Sequence, residues 1–266
     1  MLALIIVYHD HPEILKDFFE SLRQTSNHNF TLFIADLSHK LRMKNNLDFA
    51  EQIIDGKNKG YSYGINLCLK AALKQGFTEF CVLNYDVLLA QNFISQVKKR
   101  FKQADCFGGK IYYAKGYEYH KKRYVQKDLG KVLWYAGGKI DWNHATVAHR
   151  GVDEVDRKQY NKVEKTDFIT GALLCFTKKV VDKIGFWDEK YFLYYEDTDY
   201  CVRAKKAGFE LIYDPEIIIW HKNSGTTGGP GSQFHTKHQG RSRLLFGLKQ
   251  APFKTKIHLV KNYVSR

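Results

Sequence analysis

Apolar positions along the chain alternate between short unbroken runs and stripes at helical spacing. Leu2 to Val7 is uninterrupted, Ile14, Leu15, Phe18, Phe19 and Leu22 follow with the period of a helix, and Phe30 to Ala35 is a second run. This order predicts a strand, a helix and a strand, the βαβ unit of a mostly parallel sheet covered on both faces. Residues Ile53 to Asn66 carry three glycines and predict a loop feeding a helix that bears Leu69, Ala72 and Leu73. Phe80 to Leu83 and Ile217 to Trp220 read as buried strands. Between them, Asn143 to Lys165 is polar and aperiodic, which predicts an irregular excursion or a small hairpin suited to a lid. Cys201, Ala204 and Ala207 mark another helix, opened by Glu196, Asp197 and Asp199, closed by Gly208, with Arg203, Lys205 and Lys206 near its end.

With 266 residues, 44% of them hydrophobic, the chain is long enough to bury a full core. No Pro- or Ser-rich linker divides it, so one α/β domain spanning 1–266 is expected, with Gly225 to Gly231 as a mobile loop. The apolar start lacks a basic leader and is expected to be a strand rather than a signal peptide. No window approaches the roughly 20 apolar residues that cross a bilayer. Five cysteines without a C-x-x-C pair fit a reduced, cytoplasmic protein, with Cys81 and Cys175 in the core. The net charge of +14 is scattered and accompanied by no nucleic-acid motif, so no nucleic-acid partner is expected. That excess equally suits nucleoside diphosphates and an anionic membrane face.

Candidate chemistry sits at the predicted ends of strands. Tyr8, His9, Asp10 and Asp36 follow the first two, where ligands of such sheets gather, although Asp is also a common turn residue. The glycine loop offers close backbone approach and a helix N-terminus for anions. Asn84-Tyr85-Asp86 follows the strand at Phe80 and provides one certain carboxylate for Mg or Mn, or simply a turn. Glu196 and Asp197 open a helix, where acids also serve the macrodipole. Just before them, Trp187, Tyr191, Phe192, Tyr194 and Tyr195 supply rings for sugar contact or for core packing. His221 ends a strand, as a ligand or without special duty.

The succession Phe192-Leu-Tyr-Tyr-Glu-Asp-Thr-Asp-Tyr-Cys-Val-Arg-Ala-Lys-Lys-Ala-Gly208, followed by Trp220-His221-Lys222-Asn223-Ser224-Gly225, resembles the rhamnosyltransferase-like branch of the family 2 glycosyltransferases. Trp134 to Asp141, Asp167 to Phe176 and Ile184 to Asp188 also resemble that branch, so the likeness spans nearly the whole chain. The resemblance implies a GT-A fold, with 1–107 binding a nucleotide sugar, 108–238 forming the acceptor and catalytic half, and 239–266 a basic helical tail. It implies Asp197 as the base that deprotonates the acceptor hydroxyl, with Glu196 beside it. Tyr8, Asp36, Asn58, Gly60, Asn66, Asn84, Asp86 and Arg241 become donor-binding residues, the last from an R-S-R that stands where the family has R-N-R. Asp86 and His221 become ligands of a divalent Mn or Mg, with Asn84 replacing the first acid of the family's D-x-D and leaving metal affinity in question. Trp187, Tyr194 and Tyr195 become acceptor contacts. The expected reaction is inverting transfer from dTDP-rhamnose or a UDP-hexose to a glycan or lipid-linked oligosaccharide, in cell-surface polysaccharide synthesis. The alternative is a noncatalytic nucleotide-sugar-binding or anionic-surface-binding protein. The stretch Gln239 to Lys249 allows peripheral attachment to the inner face of the cell membrane, or is a solvated basic helix.

Overall fold

The computed structural model describes residues 1–41, 49–223 and 232–264. Its elements are β1 (Leu2–Tyr8), α1 (Pro12–Arg23), β2 (Thr31–Asp36), β3 (Ala50–Asp55), α2 (Tyr61–Lys74), β4 (Glu79–Leu83), β5 (Val87–Leu89), α3 (Phe93–Phe101), β6 (Cys106–Tyr113), β7 (Leu133–Tyr135), β8 (Gly138–Asp141) and β9 (Thr146–His149). They continue with β10 (Glu164–Lys165), β11 (Leu173–Thr177), α4 (Lys178–Ile184), α5 (Glu196–Lys206), β12 (Ile212–His221), α6 (Gln233–Gln250) and α7 (Phe253–Val264). Gly225 to Gly231 and Ser224 lie outside the described residues.

The main sheet is mixed and mostly parallel, ordered β10-β12-β6-β11-β4-β1-β2-β3. β1 runs parallel to both β2 and β4, and all seven of its residues are buried, which is why it reads as an unbroken apolar run. β11 enters antiparallel between β4 and β6. Its leading residues therefore emerge at the same edge as the carboxyl end of β4. β12 returns parallel to β6 and pairs antiparallel with the short β5, setting His221 opposite Val87. Its ladder shifts between Asp214 and Ile218, around Pro215, which a bulge tolerates because a proline cannot donate to the ladder.

Two predicted boundaries move. Ile53 to Asp55 is not loop but the end of β3, an edge strand whose partial exposure hides its period. The polar stretch from Asn143 is entered in mid-hairpin, since β8 and β9 pair from Gly138 to His149 and β10 then joins the sheet edge. One buried apolar cluster runs from Leu2 to Ile219, and a smaller one links Ala145, Tyr195, Phe246 and Leu259 under α6 and α7. All five cysteines are free and buried. Burial pushes the Cys106 thiol up to about 12 and raises Cys68, Cys175 and Cys201 as well.

Candidate active site

A cavity of about 960 Å³ opens at the carboxyl edge of the sheet. Its walls come from the ends of β1 and β4, the loop before α2, the start of β11, the hairpin strand β9, the segment entering α5, the end of β12 and the first turns of α6. This is where an open α/β sheet gathers ligands.

The β5–β12 pairing builds one side of the site. Because Val87 faces His221 and Lys222 N–H donates to the Asp86 carbonyl at 2.9 Å, the Asp86 carboxylate lies 3.0 Å from His221 Nε2. Asn84 Nδ2 stands 3.4 Å from the same nitrogen. The Trp134 ring is held edge-on between His221 and His149, at 4.5 and 4.4 Å between centroids. Burial pushes the His149 imidazole down to about 4, so it is neutral at neutral pH.

Strained backbone builds the other side. Tyr194 and Tyr195 both have positive φ, 70° and 65°, immediately before α5. Two consecutive non-glycine residues in this region are costly and turn the chain sharply enough to point the first helical turn inward. Gly60 is what admits this turn. Its φ is 103°, and a Cβ there would run into the Phe192 backbone, while Tyr61 N–H donates to the Phe192 carbonyl at 2.8 Å. The loop before α2 and the segment before α5 are thereby joined backbone to backbone.

Asp197 lies in the cavity wall between these two sides. Its Oδ2 accepts from Gly171 N–H at 2.8 Å, and its Oδ1 from Thr198 N–H and Oγ1 at 2.6 and 3.1 Å. Burial raises its carboxyl above the usual aspartate range, outweighing these bonds. The helix N-terminus therefore does not make it a weak base, because desolvation is the larger effect. Glu196 is raised further by burial and by the Asp197 charge, and its Oε2 has no partner among the described residues. The Tyr61 hydroxyl ties the two sides together. Its one proton lies within reach of Asn84 Oδ1 at 2.9 Å and the Gly171 carbonyl at 3.0 Å. Burial and the carboxylates of Glu196, Asp197 and Asp86 push this phenol far up, so it stays protonated.

The structure thus gathers Asn58, Gly60, Asn84, Asp86, Tyr194, Tyr195, Glu196, Asp197 and His221 around one cavity. Five expected site residues lie off it. Tyr8 is buried with its ring edge-on to Tyr85, leaving Val7 and His9 to line the wall. Asp36 is spent on its own turn, accepting from Ser38 N–H and Oγ, His39 N–H and Leu41 N–H. Asn66 bonds the Trp187 backbone in both directions and also donates to Glu189, locking α2 to the loop after α4. Trp187 itself stacks on Tyr200 in the core, 4.9 Å between centroids. Arg241 is exposed on α6, and its neighbour Arg243 donates to the His144 carbonyl of the β8–β9 hairpin. Between them, Ser242 donates to the Leu193 carbonyl at 2.8 Å, steadying the segment before α5. α6 begins at Gln233, ahead of the boundary drawn at 239, and lines the cavity with Phe234, His235 and Gln239. Tyr61, Trp134, His149 and Thr170 are wall residues that no residue pattern singled out for a role.

The donors present suit a hard divalent cation. Such ions take oxygen and imidazole ligands and need only one or two from the protein when diphosphate oxygens and water fill the rest. The 3.0 Å separation of Asp86 Oδ1 and His221 Nε2 is about that of two adjacent ligands on one ion. His221 Nδ1, buried without a partner among the described residues, would carry the ring proton when Nε2 coordinates.

Residues 45–241 match the glycosyltransferase-like family 2 profile. Over 73 residues the chain is 32% identical to an N-acetylglucosaminyl-diphospho-decaprenol L-rhamnosyltransferase of Mycobacterium tuberculosis, covering 27% of this chain and 24% of that one. It is 21% identical over 216 residues to the low-salt glycan biosynthesis hexosyltransferase Agl10 of Haloferax volcanii, covering 79% of this chain and 63% of that one. The chain thus spans about a quarter of the length of the first of these relatives and under two thirds of the second. Among solved structures, GalNAc-T7 with UDP, GalNAc and Mn2+ aligns with a TM-score of 0.63 at 16% identity, covering 87% of this chain and 44% of that one. The Pyrobaculum calidifontis mannosyltransferase PcManGT with GDP-Man and Mn2+ aligns at 0.55 with 10% identity, covering 97% and 68%. The chain belongs to glycosyltransferase family 2 and has the GT-A fold.

Proposed function

We propose that this chain is an inverting glycosyltransferase that moves a sugar from a nucleoside-diphosphate donor, dTDP-rhamnose or a UDP-hexose, to a hydroxyl of a glycan or lipid-linked oligosaccharide. The observation that carries this is the polar chain across the cavity. Asp86 and His221 meet Asn84, Tyr61 bridges Asn84 to Gly171, and Gly171 N–H fixes Asp197. The residues that would hold the diphosphate and the carboxylate that would take the proton are thereby linked around one space large enough for a sugar nucleotide.

Asp197 takes the acceptor hydroxyl proton as that oxygen attacks the anomeric carbon. The bond from that carbon to the diphosphate oxygen breaks with its electron pair leaving on the diphosphate, so a single displacement inverts the centre. Three hydrogen bonds orient the Asp197 carboxylate, while its raised proton affinity strengthens it as a base. Asp86 and His221 would hold a divalent Mn or Mg, which supplies charge for the departing diphosphate. Tyr61, kept protonated, holds Asn84 and Gly171 in register. Tyr194 offers a flat face for a sugar ring, while Tyr195 lines the cavity with its ring packed against Phe246.

The test is a screen of UDP-, GDP- and dTDP-sugars with Mn or Mg, comparing wild type with Asp197→Asn. Metal-dependent release of one nucleoside diphosphate, lost in the variant while donor binding persists, is expected. Binding of a donor without turnover, even with lipid-linked acceptors present, would replace the transferase with a noncatalytic sugar-nucleotide binder.

A further inference from the structure

The last fifty residues of the chain, 217–266, contain nine Lys and Arg and no Asp or Glu, against +14 for the whole molecule. Much of that stretch is folded into α6 and α7. On α6, Ser242, Phe246 and Gly247 are buried, and Arg243 is engaged with the hairpin. α7 presents a clearer outward stripe. One side of it is anchored, with Thr255 donating to the Trp142 carbonyl at 2.8 Å and Leu259 buried beside Phe246 and Ala145. On the other side Phe253, Ile257 and Val260 stand at helical spacing and are 77%, 42% and 47% exposed. Lys256 flanks this stripe on one edge, and Lys254 and Lys261 on the other, by their positions around the helix.

We infer that this face of α7 is a docking surface for an anionic lipid bilayer. The inference stands apart from the chemistry of the cavity. An apolar stripe bordered by lysines is the arrangement that lies in a membrane interface, with the rings and branched chains among the acyl chains and the ammonium groups at phosphate level. Charge selects this occupant over the others. A second copy of the chain would bring lysines against lysines, and a nucleic acid would leave the three apolar side chains without a partner. Among the described residues no helix is long and apolar enough to cross a membrane, so attachment through α7 lies along the interface. The placement also matters. The hairpin that α7 grips through Trp142 and Ala145 continues into β9, whose Val147 and His149 line the cavity. Docking would therefore bear directly on that part of the cavity wall.

The test is co-sedimentation with phosphatidylcholine vesicles, with and without phosphatidylglycerol. The full chain is expected to bind the anionic vesicles, with binding that weakens as salt rises. Phe253→Asp with Ile257→Asp should weaken it at least about tenfold, and Lys254→Gln, Lys256→Gln and Lys261→Gln together by roughly fivefold per lysine. Phe253 and Ile257 face outward, so the apolar pair of substitutions should keep the wild-type melting temperature. Failure to bind anionic vesicles would overturn the inference, as would binding indifferent to Phe253 and Ile257. So would light scattering that shows a dimer dissolved by the apolar pair of substitutions, which would assign the face to a second copy.

Discussion

Asp36 and Asp197 are carboxylates at the same edge of the same sheet, held in opposite ways. Asp36 ends β2, where an apolar strand stops abruptly and the chain must turn. Burial pushes its carboxyl up, but four bonds from Ser38, His39 and Leu41 outweigh that and leave it below the usual range. Asp197 lies in the first turn of α5, just after the strained backbone of Tyr194 and Tyr195, and there burial wins over three bonds. A carboxylate whose bonds more than offset its burial is stabilising a turn. One kept against its solvation, facing a cavity, is available to take a proton.

The largest expected effect separates the two directly. Asp197→Asn should lower kcat by about 10²–10⁴-fold with little change in donor affinity, whereas Asp36→Asn should leave kcat near wild type and lower stability instead. Because the Asp36 carboxyl is depressed in the folded state, the stability lost in Asp36→Asn should be full at neutral pH. It should vanish as pH falls below the ordinary aspartate range, in urea titrations at several pH values. The acid limb of kcat/KM, by contrast, should lie above that range, reflecting the raised Asp197. Next in size, His221→Ala should weaken metal activation by roughly 10–100-fold, read from a Mn titration of turnover. Gly60→Ala should cost about 1–3 kcal/mol through strain against Phe192 and reduce turnover as the segment before α5 shifts. Asn66→Ala should cost a similar 1–3 kcal/mol, because Trp187 N–H loses its acceptor, yet leave the donor KM unchanged. The smallest effect has the opposite sign. Glu196 binds its proton more tightly when folded, so its ionised form is destabilising at pH values above the unfolded carboxyl's, about 4.3. Glu196→Gln should raise the melting temperature at pH 7, and the gain should shrink as the pH is lowered.

The strands and helices were legible because their apolar periods are strong, and the α5 acids because three carboxylates crowd one turn. What the sequence hides is direction. Asp199 shares that turn yet points away, to Arg203 and Gln250, while Glu196 and Asp197 line the cavity. Asn66 and Trp187 fall in motif-like positions but were claimed by each other across the fold. His149 and Trp134 reach the cavity only through the β8–β9 hairpin and its contacts, which no local period foretells. Arg241 shows the same limit, since a helix boundary set at Gln233 turns it outward.

All five thiols lie inside the core, and none that burial raises will ionise near neutrality. An alkylating reagent should accordingly find little to attack until the sheet opens. Its uptake would then time the global unfolding of this protein without any label being engineered, and would stay silent to motion confined to the cavity walls.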